Sequence, residues 1–291
     1  MVENTLSTAH NQTKEEADSA ASSYEFLLGS MVWSFSRVNA YVTCPKMFKL
    51  QYIDHVTKLQ NAFAEWGTLC HGVLESYFKG EKSLFELSEA YEQSYHDTVQ
   101  HAFPPNKYVD LSKSYYDAGL DYFDNFQGLP AQYEVIGVEQ EVHLEFGGYQ
   151  FIGYIDLILR DKEDNGIVIV DHKSKAKFEN APEKEHYLLQ LYLYSQYIFE
   201  RFHEYPKRLI FNMFRAGKLE DAVFEPKDFD AAVQWFISTI NSIYADKKYI
   251  DKIAIEYAKK GKNLSSFKKG DFFCNHLCSV REHCNRSADK R

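Results

Sequence analysis

Two short stretches carry the side chains best suited to chemistry. Gly153-Tyr-Ile-Asp156 and Ile167-Val-Ile-Val-Asp171-His172-Lys173 flank a polar turn, Asp161 to Gly166, that ends in Asn165-Gly166. Residues 149–160 and 167–173 are rich in Ile, Val, Leu, Phe and Tyr. Asn-Gly between two such runs is a strong hairpin signal, so the two strands are expected to pair antiparallel. Side chains alternate across a strand, which puts Asp171 and Lys173 on one face and His172 on the other. Asp156 then faces Asp171 across the hairpin. Two carboxylates beside one amine are what metal-assisted phosphodiester cleavage requires. An Asp and a Lys closing an apolar strand also describe a solvated strand end, and the hairpin alone leaves both readings open.

Further candidates lie elsewhere. His71 sits in Gly67-Thr-Leu-Cys-His71-Gly-Val-Leu-Glu75 on a predicted helix, where an imidazole is either a partly buried packing group or a ligand. Gln190 and Tyr194 are four apart on a later predicted helix and share one face. Glu139 and Glu141 precede the hairpin, where a solvated edge strand and a further ligand are the two readings.

The elements that must position these groups are legible in outline. Ser34 to Ile53 has helical spacing with Ser34 or Ser36 as N-cap, and Pro45 kinks or divides it. A second helix is predicted from Trp66 to Phe78, ended by Gly80. Residues 82–127 read as helices rich in Tyr and Phe, broken at Pro104-Pro105. A strand from about Glu134 to Phe146 leads into the hairpin. A helix over His186 to Phe202 crosses the sheet, residues 208–214 form another strand, and residues 228–245 another helix. Helices, then a sheet, then helices make a mixed α/β domain with an inserted helical region.

Composition limits the class. At 291 residues and 45% hydrophobic content, the chain has the means to bury a large core. The first 23 residues are mostly small or polar, with no basic start and no apolar run, and read as a flexible tail rather than a signal peptide. No apolar run reaches membrane-spanning length, so no membrane partner is expected and the expected location is the cytoplasm. There, five cysteines point to ligands or buried thiols rather than disulfides. The net charge of -9 is uneven: residues 246–291 carry twelve basic and six acidic side chains. Overall acidity argues against indiscriminate coating of duplex DNA, while the basic segment is either a local phosphate track or a solubilising surface.

Taken together, the order His71, Asp156, Asp171, Lys173, Gln190, Tyr194 resembles the PD-(D/E)XK nuclease superfamily in its RecB-like branch. Ser34-Phe-Ser36-Arg-Val-Asn-Ala-Tyr41-Val-Thr-Cys44-Pro45-Lys-Met-Phe48 is similar to the opening motif of that branch's iron-sulfur members, and Cys274, Cys278 and Cys284 to their closing cysteines. Those members include CRISPR-associated RecB-like exonucleases, the AddB nuclease domain and phage proteins. The resemblance covers roughly residues 33–285. The closing spacing, Cys-x3-Cys-x5-Cys, departs from the family's usual two-residue first gap.

The resemblance implies a restriction-endonuclease-like core, a central mixed sheet flanked by helices. It implies a tail over 1–30, a nuclease domain over 31–291 with a helical insertion at 80–132, and a closing cysteine segment at 270–286. Asp156, Asp171, His71 and the main-chain carbonyl of His172 would hold Mg2+ or Mn2+. Lys173 would orient or activate water and stabilise charge on the phosphate, with Gln190 and Tyr194 positioning it. Cys44, Cys274, Cys278 and Cys284 would hold a 4Fe-4S cluster joining the N- and C-terminal segments, with zinc as the alternative and His276 or His283 as a substitute zinc ligand. Cys70 matches no ligand position and reads as a buried thiol. The implied activity is a deoxyribonuclease, an exonuclease on single-stranded DNA, working with recombination, phage or CRISPR-adaptation proteins. A noncatalytic DNA-binding or assembly subunit, and a zinc-stabilised interaction protein, are the competing readings.

Overall fold

The computed structural model describes residues 24–246 and 272–284. The expected tail, apart from its last residues, and most of the basic C-terminal segment lie outside the described residues. Chain contacts divide the protein into two compact units, one holding residues 1–58, 147–150 and 236–291, the other 59–146 and 151–235.

The second unit contains the sheet. Strands β1 (Tyr133–Phe146), β2 (Tyr149–Asp161), β3 (Ile167–Lys173), β4 (Arg208–Met213) and β5 (Lys218–Val223) lie side by side in chain order. Gly147 and Gly148, both with positive φ (59° and 85°), close the β1–β2 hairpin in two residues. Glycine is favoured there because both turn positions need the left-handed region. β2 pairs antiparallel with β3, Leu157 opposite Val170. Asn165 takes a φ of 58° in the turn between them, as its Asn-Gly signal predicts. β3 is parallel to β4, with Asp171 beside Phe211 and Lys173 beside Met213, and β4 is antiparallel to β5. β3 is buried on both faces as far as His172, which explains its unbroken apolar run.

The helices follow their capping signals. Ser34 caps α1 (Phe35–Thr43) by accepting from the Arg37 N–H, and Cys44 then leaves the helical region before Pro45 opens α2 (Pro45–Phe48). The predicted Ser34–Ile53 helix is thus divided at Pro45. Asn61 caps α3 (Ala62–Phe78), and Gly80 follows its end at a φ of 73°. α4 (Leu87–Thr98) and α5 (Leu111–Asn125) form the helical insertion, separated by the stretch containing Pro104-Pro105. Asn180 caps α6 (Ala181–Phe202), the crossover between β3 and β4, which starts five residues before the predicted His186. α7 (Pro226–Asp246) follows β5.

The insertion has an aromatic core that backs the site helix. Trp66, Leu69, Cys70, Val73 and Leu74 of α3 pack with Tyr91, Tyr95, Tyr115, Tyr122, Phe123 and Phe214. Trp66 Nε1 donates to the Tyr91 hydroxyl at 2.9 Å, which donates in turn to the Tyr116 carbonyl at 3.1 Å. Gly119 faces the Tyr91 ring so closely that any Cβ there would overlap it. Cys70 is buried in this core, and burial holds its thiol well above the usual value. Among the described residues, no helix is long and apolar enough to cross a membrane.

Candidate active site and thiol cluster

The alternation of β3 turns Asp171 and Lys173 to one face of the sheet. Asp171 is 4% exposed, and its Oδ2 lies 2.6 Å from Lys173 Nζ. That approach satisfies an ion pair but not a hydrogen bond, and Oδ2 is a buried oxygen with no hydrogen-bond donor. Lys173 Nζ donates to Gln190 Oε1 at 3.2 Å, and Gln190 Nε2 donates to the Tyr194 hydroxyl at 3.0 Å. Spacing of four on α6 brings the amide and the phenol together, as the sequence implied. The ammonium also lies 5.3 Å from the centre of the Tyr187 ring and 5.9 Å from that of Phe211. Lys173 is therefore held by one carboxylate, one amide and two aromatic faces.

Asp156 sits where the β2–β3 ladder ends, and its Oδ2 accepts the His172 main-chain N–H at 2.6 Å. His71, projecting from α3, brings Nδ1 to 3.7 Å from the same oxygen, too far for a hydrogen bond but within reach of a shared ion. Glu139 completes the group. One donor atom each from His71, Glu139 and Asp156 lie within 4.8 Å of one another. Asp171 is not in that group of three; its carboxylate is engaged by Lys173 instead.

Glu139 lies inside β1 with a φ of 46°, a left-handed conformation that a strand residue other than glycine rarely takes. Val135 and Val138, an odd three apart, both pack on the apolar cluster of Leu157, Leu159, Val168, Val170 and Ile210. Regular alternation forbids that, so the strand is bulged here and its side chains re-aimed. Glu141 takes no part: it is exposed and bonded to His143 at 2.6 Å and to the Tyr154 hydroxyl at 3.0 Å. The solvated-edge reading fits Glu141 and fails for Glu139. The one sequence signal for Glu139 is the break in apolar alternation just before it.

Charge crowding marks the site as one built for a cation. Burial, then the neighbouring Asp171, pushes the Asp156 carboxyl well above its usual value. Burial and Glu75 raise Glu139. Burial lowers His71, against the pull of Asp171, so its imidazole is neutral near neutral pH and has a lone pair to offer. The donor set of two carboxylates and an imidazole, next to an orphaned buried carboxylate oxygen, fits Mg2+ or Mn2+.

In the other unit, four of the five cysteines converge. Cys44 lies at the break between α1 and α2, Cys274 in a helical turn over Phe273–Leu277, Cys278 at its end, and Cys284 after the turn Arg281–His283. All are free thiols. Cys278 is buried with Leu50 and Val280, beside Met47, Val56, Phe273 and Cys284. Gln51 Nε2 donates to Ser279 Oγ at 2.7 Å, fastening the C-terminal segment to the turn after α2. Burial, then the charges of Cys44, Cys284 and Cys274, push the Cys278 thiol up to about 11. Cys278 is thus within electrostatic reach of the other three sulfurs, while the group of ligand atoms close enough to hold a metal ion among the described residues is that of His71, Glu139 and Asp156.

Two comparisons with known proteins bear on this geometry. A family model described as PD-(D/E)XK nuclease superfamily matches residues 32–285. No individual curated protein matches the chain.

Proposed function

Because the chain belongs to the PD-(D/E)XK nuclease superfamily, whose members are nucleases that use divalent metals, we propose that it is a Mg2+- or Mn2+-dependent deoxyribonuclease of the RecB-like iron-sulfur branch. The observation that carries this reading is the approach of His71, Glu139 and Asp156 to within 4.8 Å of one another. Lys173 stands on the same strand as Asp171 and the His172 main chain, at the edge of that group.

His71, Asp156 and Glu139, with Asp171 and the His172 carbonyl beside them, would hold a divalent cation, which would supply Lewis-acid polarisation of the phosphate and lower the pKa of water. The chain's own residues do the rest. Lys173 places a fixed positive charge against the phosphoryl oxygens as negative charge builds on them. Gln190 holds the ammonium from one side and is itself held by Tyr194, so the charge need not reorganise during the reaction. Asp171, paired with Lys173 at 2.6 Å, holds that ammonium from a second side.

The substrate is DNA, single-stranded by preference, degraded from an end. Resemblance to the RecB-like exonucleases supports that choice, as do the four thiols, which match the ligand set of those relatives. We assign a structural 4Fe-4S cluster to Cys44, Cys274, Cys278 and Cys284, a location in the cytoplasm, and a role in recombination, phage DNA processing or CRISPR adaptation. An end-labelled digestion with Mn2+, Mg2+ or chelator, run beside Lys173→Ala, tests the activity. Metal-dependent loss of single strands that Lys173→Ala abolishes supports the reading. Persistent cleavage by that variant, or none by the parent with either metal, refutes it. Iron and acid-labile sulfide in the purified protein test the cluster, and stoichiometric zinc instead would overturn that assignment.

A further inference from the structure

The face of the sheet opposite Lys173 carries a cavity of about 390 Å3, which the nuclease chemistry does not use. Phe78, Tyr122, Phe126 and Tyr133 are among its lining residues, and its sheet side is formed by alternating residues of β2, β3 and β4. Beside the apolar Val170 and Ile210 stand His172 and Asn212, which are register partners on β3 and β4, and Arg208 lies at the start of β4.

These two side chains are more than nine-tenths buried, at 5% and 6% exposure. Asn212 Nδ2 donates to the Tyr122 hydroxyl at 2.7 Å and to His172 Nδ1 at 3.1 Å. Both amide hydrogens are thus spent, and Nδ1 of His172 is an acceptor. The imidazole proton is then on Nε2. Neither Nε2 of His172 nor Oδ1 of Asn212 has a hydrogen-bond partner among the described residues. Neither atom is among the fully enclosed orphaned polar atoms of the described residues, so a donor and an acceptor stand side by side at the open space of the cavity.

A flat ring that presents an acceptor and a donor along one edge fits both needs, and a nucleobase is such a ring. Aromatic walls stack bases irrespective of identity. Arg208 at the cavity is engaged by Asp221 at 2.7 Å and by the Tyr133 hydroxyl at 2.8 Å, and Lys218 on β5 is the other cation of the lining, placed to meet the sugar-phosphate side of a base held at His172 and Asn212. We propose that this cavity binds a single nucleobase, stacked among Phe78, Phe126 and Tyr133 and bonded at its edge to His172 and Asn212.

The test uses the full chain without divalent metal, titrated with deoxyadenosine, deoxyguanosine, deoxycytidine and thymidine and followed by saturation-transfer NMR. Saturable binding of at least one nucleoside is expected at millimolar concentration. Two cavity-filling variants on different elements, Leu219→Trp on β5 and Leu129→Trp after α5, should each weaken it about tenfold or more while melting near the parent. No binding by any of the four, or affinity unchanged in both folded variants, overturns the proposal. Lys173→Ala protein should bind like the parent, so this outcome is independent of whether the opposite face cleaves DNA.

Discussion

The His172 main-chain N–H donates to Oδ2 of Asp156 across 2.6 Å, so the pairing of β2 with β3 ends in a carboxylate rather than a carbonyl. One oxygen of Asp156 is thereby tied to the strand that carries Asp171 and Lys173. A shift in either strand moves the acidic group and the ammonium together, and the site inherits the rigidity of the sheet.

The chain of contacts from Lys173 to Gln190 to Tyr194 sets an order of effects. Gln190→Leu removes the one amide holding the ammonium and should lower kcat by about 10- to 100-fold with little change in KM. Tyr194→Phe acts through Gln190 and should cost less. Single-turnover digestion of an end-labelled strand checks this, and a Tyr194→Phe loss exceeding that of Gln190→Leu would contradict it.

Glu139 combines a left-handed backbone with a crowded carboxylate. Glu139→Gly relieves both and should stabilise the metal-free protein by about 1 kcal/mol, a rise of a few degrees in Tm. The same change should weaken Mn2+ binding by about tenfold or more. Thermal melts with and without Mn2+ measure the two effects, and a lower metal-free Tm would place the strain elsewhere.

Metal affinity should climb with pH, because Asp156 and Glu139 are both held above the usual carboxylate range and must shed protons as a cation binds. Asp156→Asn removes the carboxyl that is held well above its usual range and should flatten that climb. His71 is lowered and already neutral above about pH 6.5, so His71→Asn should weaken binding there without changing the slope. Mn2+ titrations followed by electron paramagnetic resonance between about pH 6 and 8 give both slopes; a slope that falls in His71→Asn would mean a protonated imidazole.

Cys44 is the single cluster thiol from the N-terminal side. Cys44→Ser should remove iron and visible absorbance, and lower Tm by loosening the segment that Gln51 and a small apolar patch also hold. A variant that keeps its iron and melts like the parent would leave Cys44 outside the cluster.

The parts of this site that are legible in the sequence are those set by local rules. The apolar run of β3, the Asn165-Gly166 turn and the four-residue step from Gln190 to Tyr194 each fix a face or a register without help from the rest of the chain. Glu139 escaped because its direction depends on a bulge, which no period describes. β5 escaped because Lys-Leu-Glu-Asp-Ala-Val is an edge strand with Leu219 and Val223 each 68% exposed, so it lacks the apolar stripe of an interior strand. The early start of α6 reflects Pro182, which is tolerated in a first helical turn and reads as a breaker anywhere else.

The thiols are divided between residue 44 and residues 274–284, with every strand of the sheet encoded between them. During synthesis Cys44 leaves the ribosome alone, and its three companions emerge only after the strands bearing Asp156, Asp171 and Lys173 have been made. A centre that drew on all four thiols would thus have to wait for those strands to be made before its ligand set was complete.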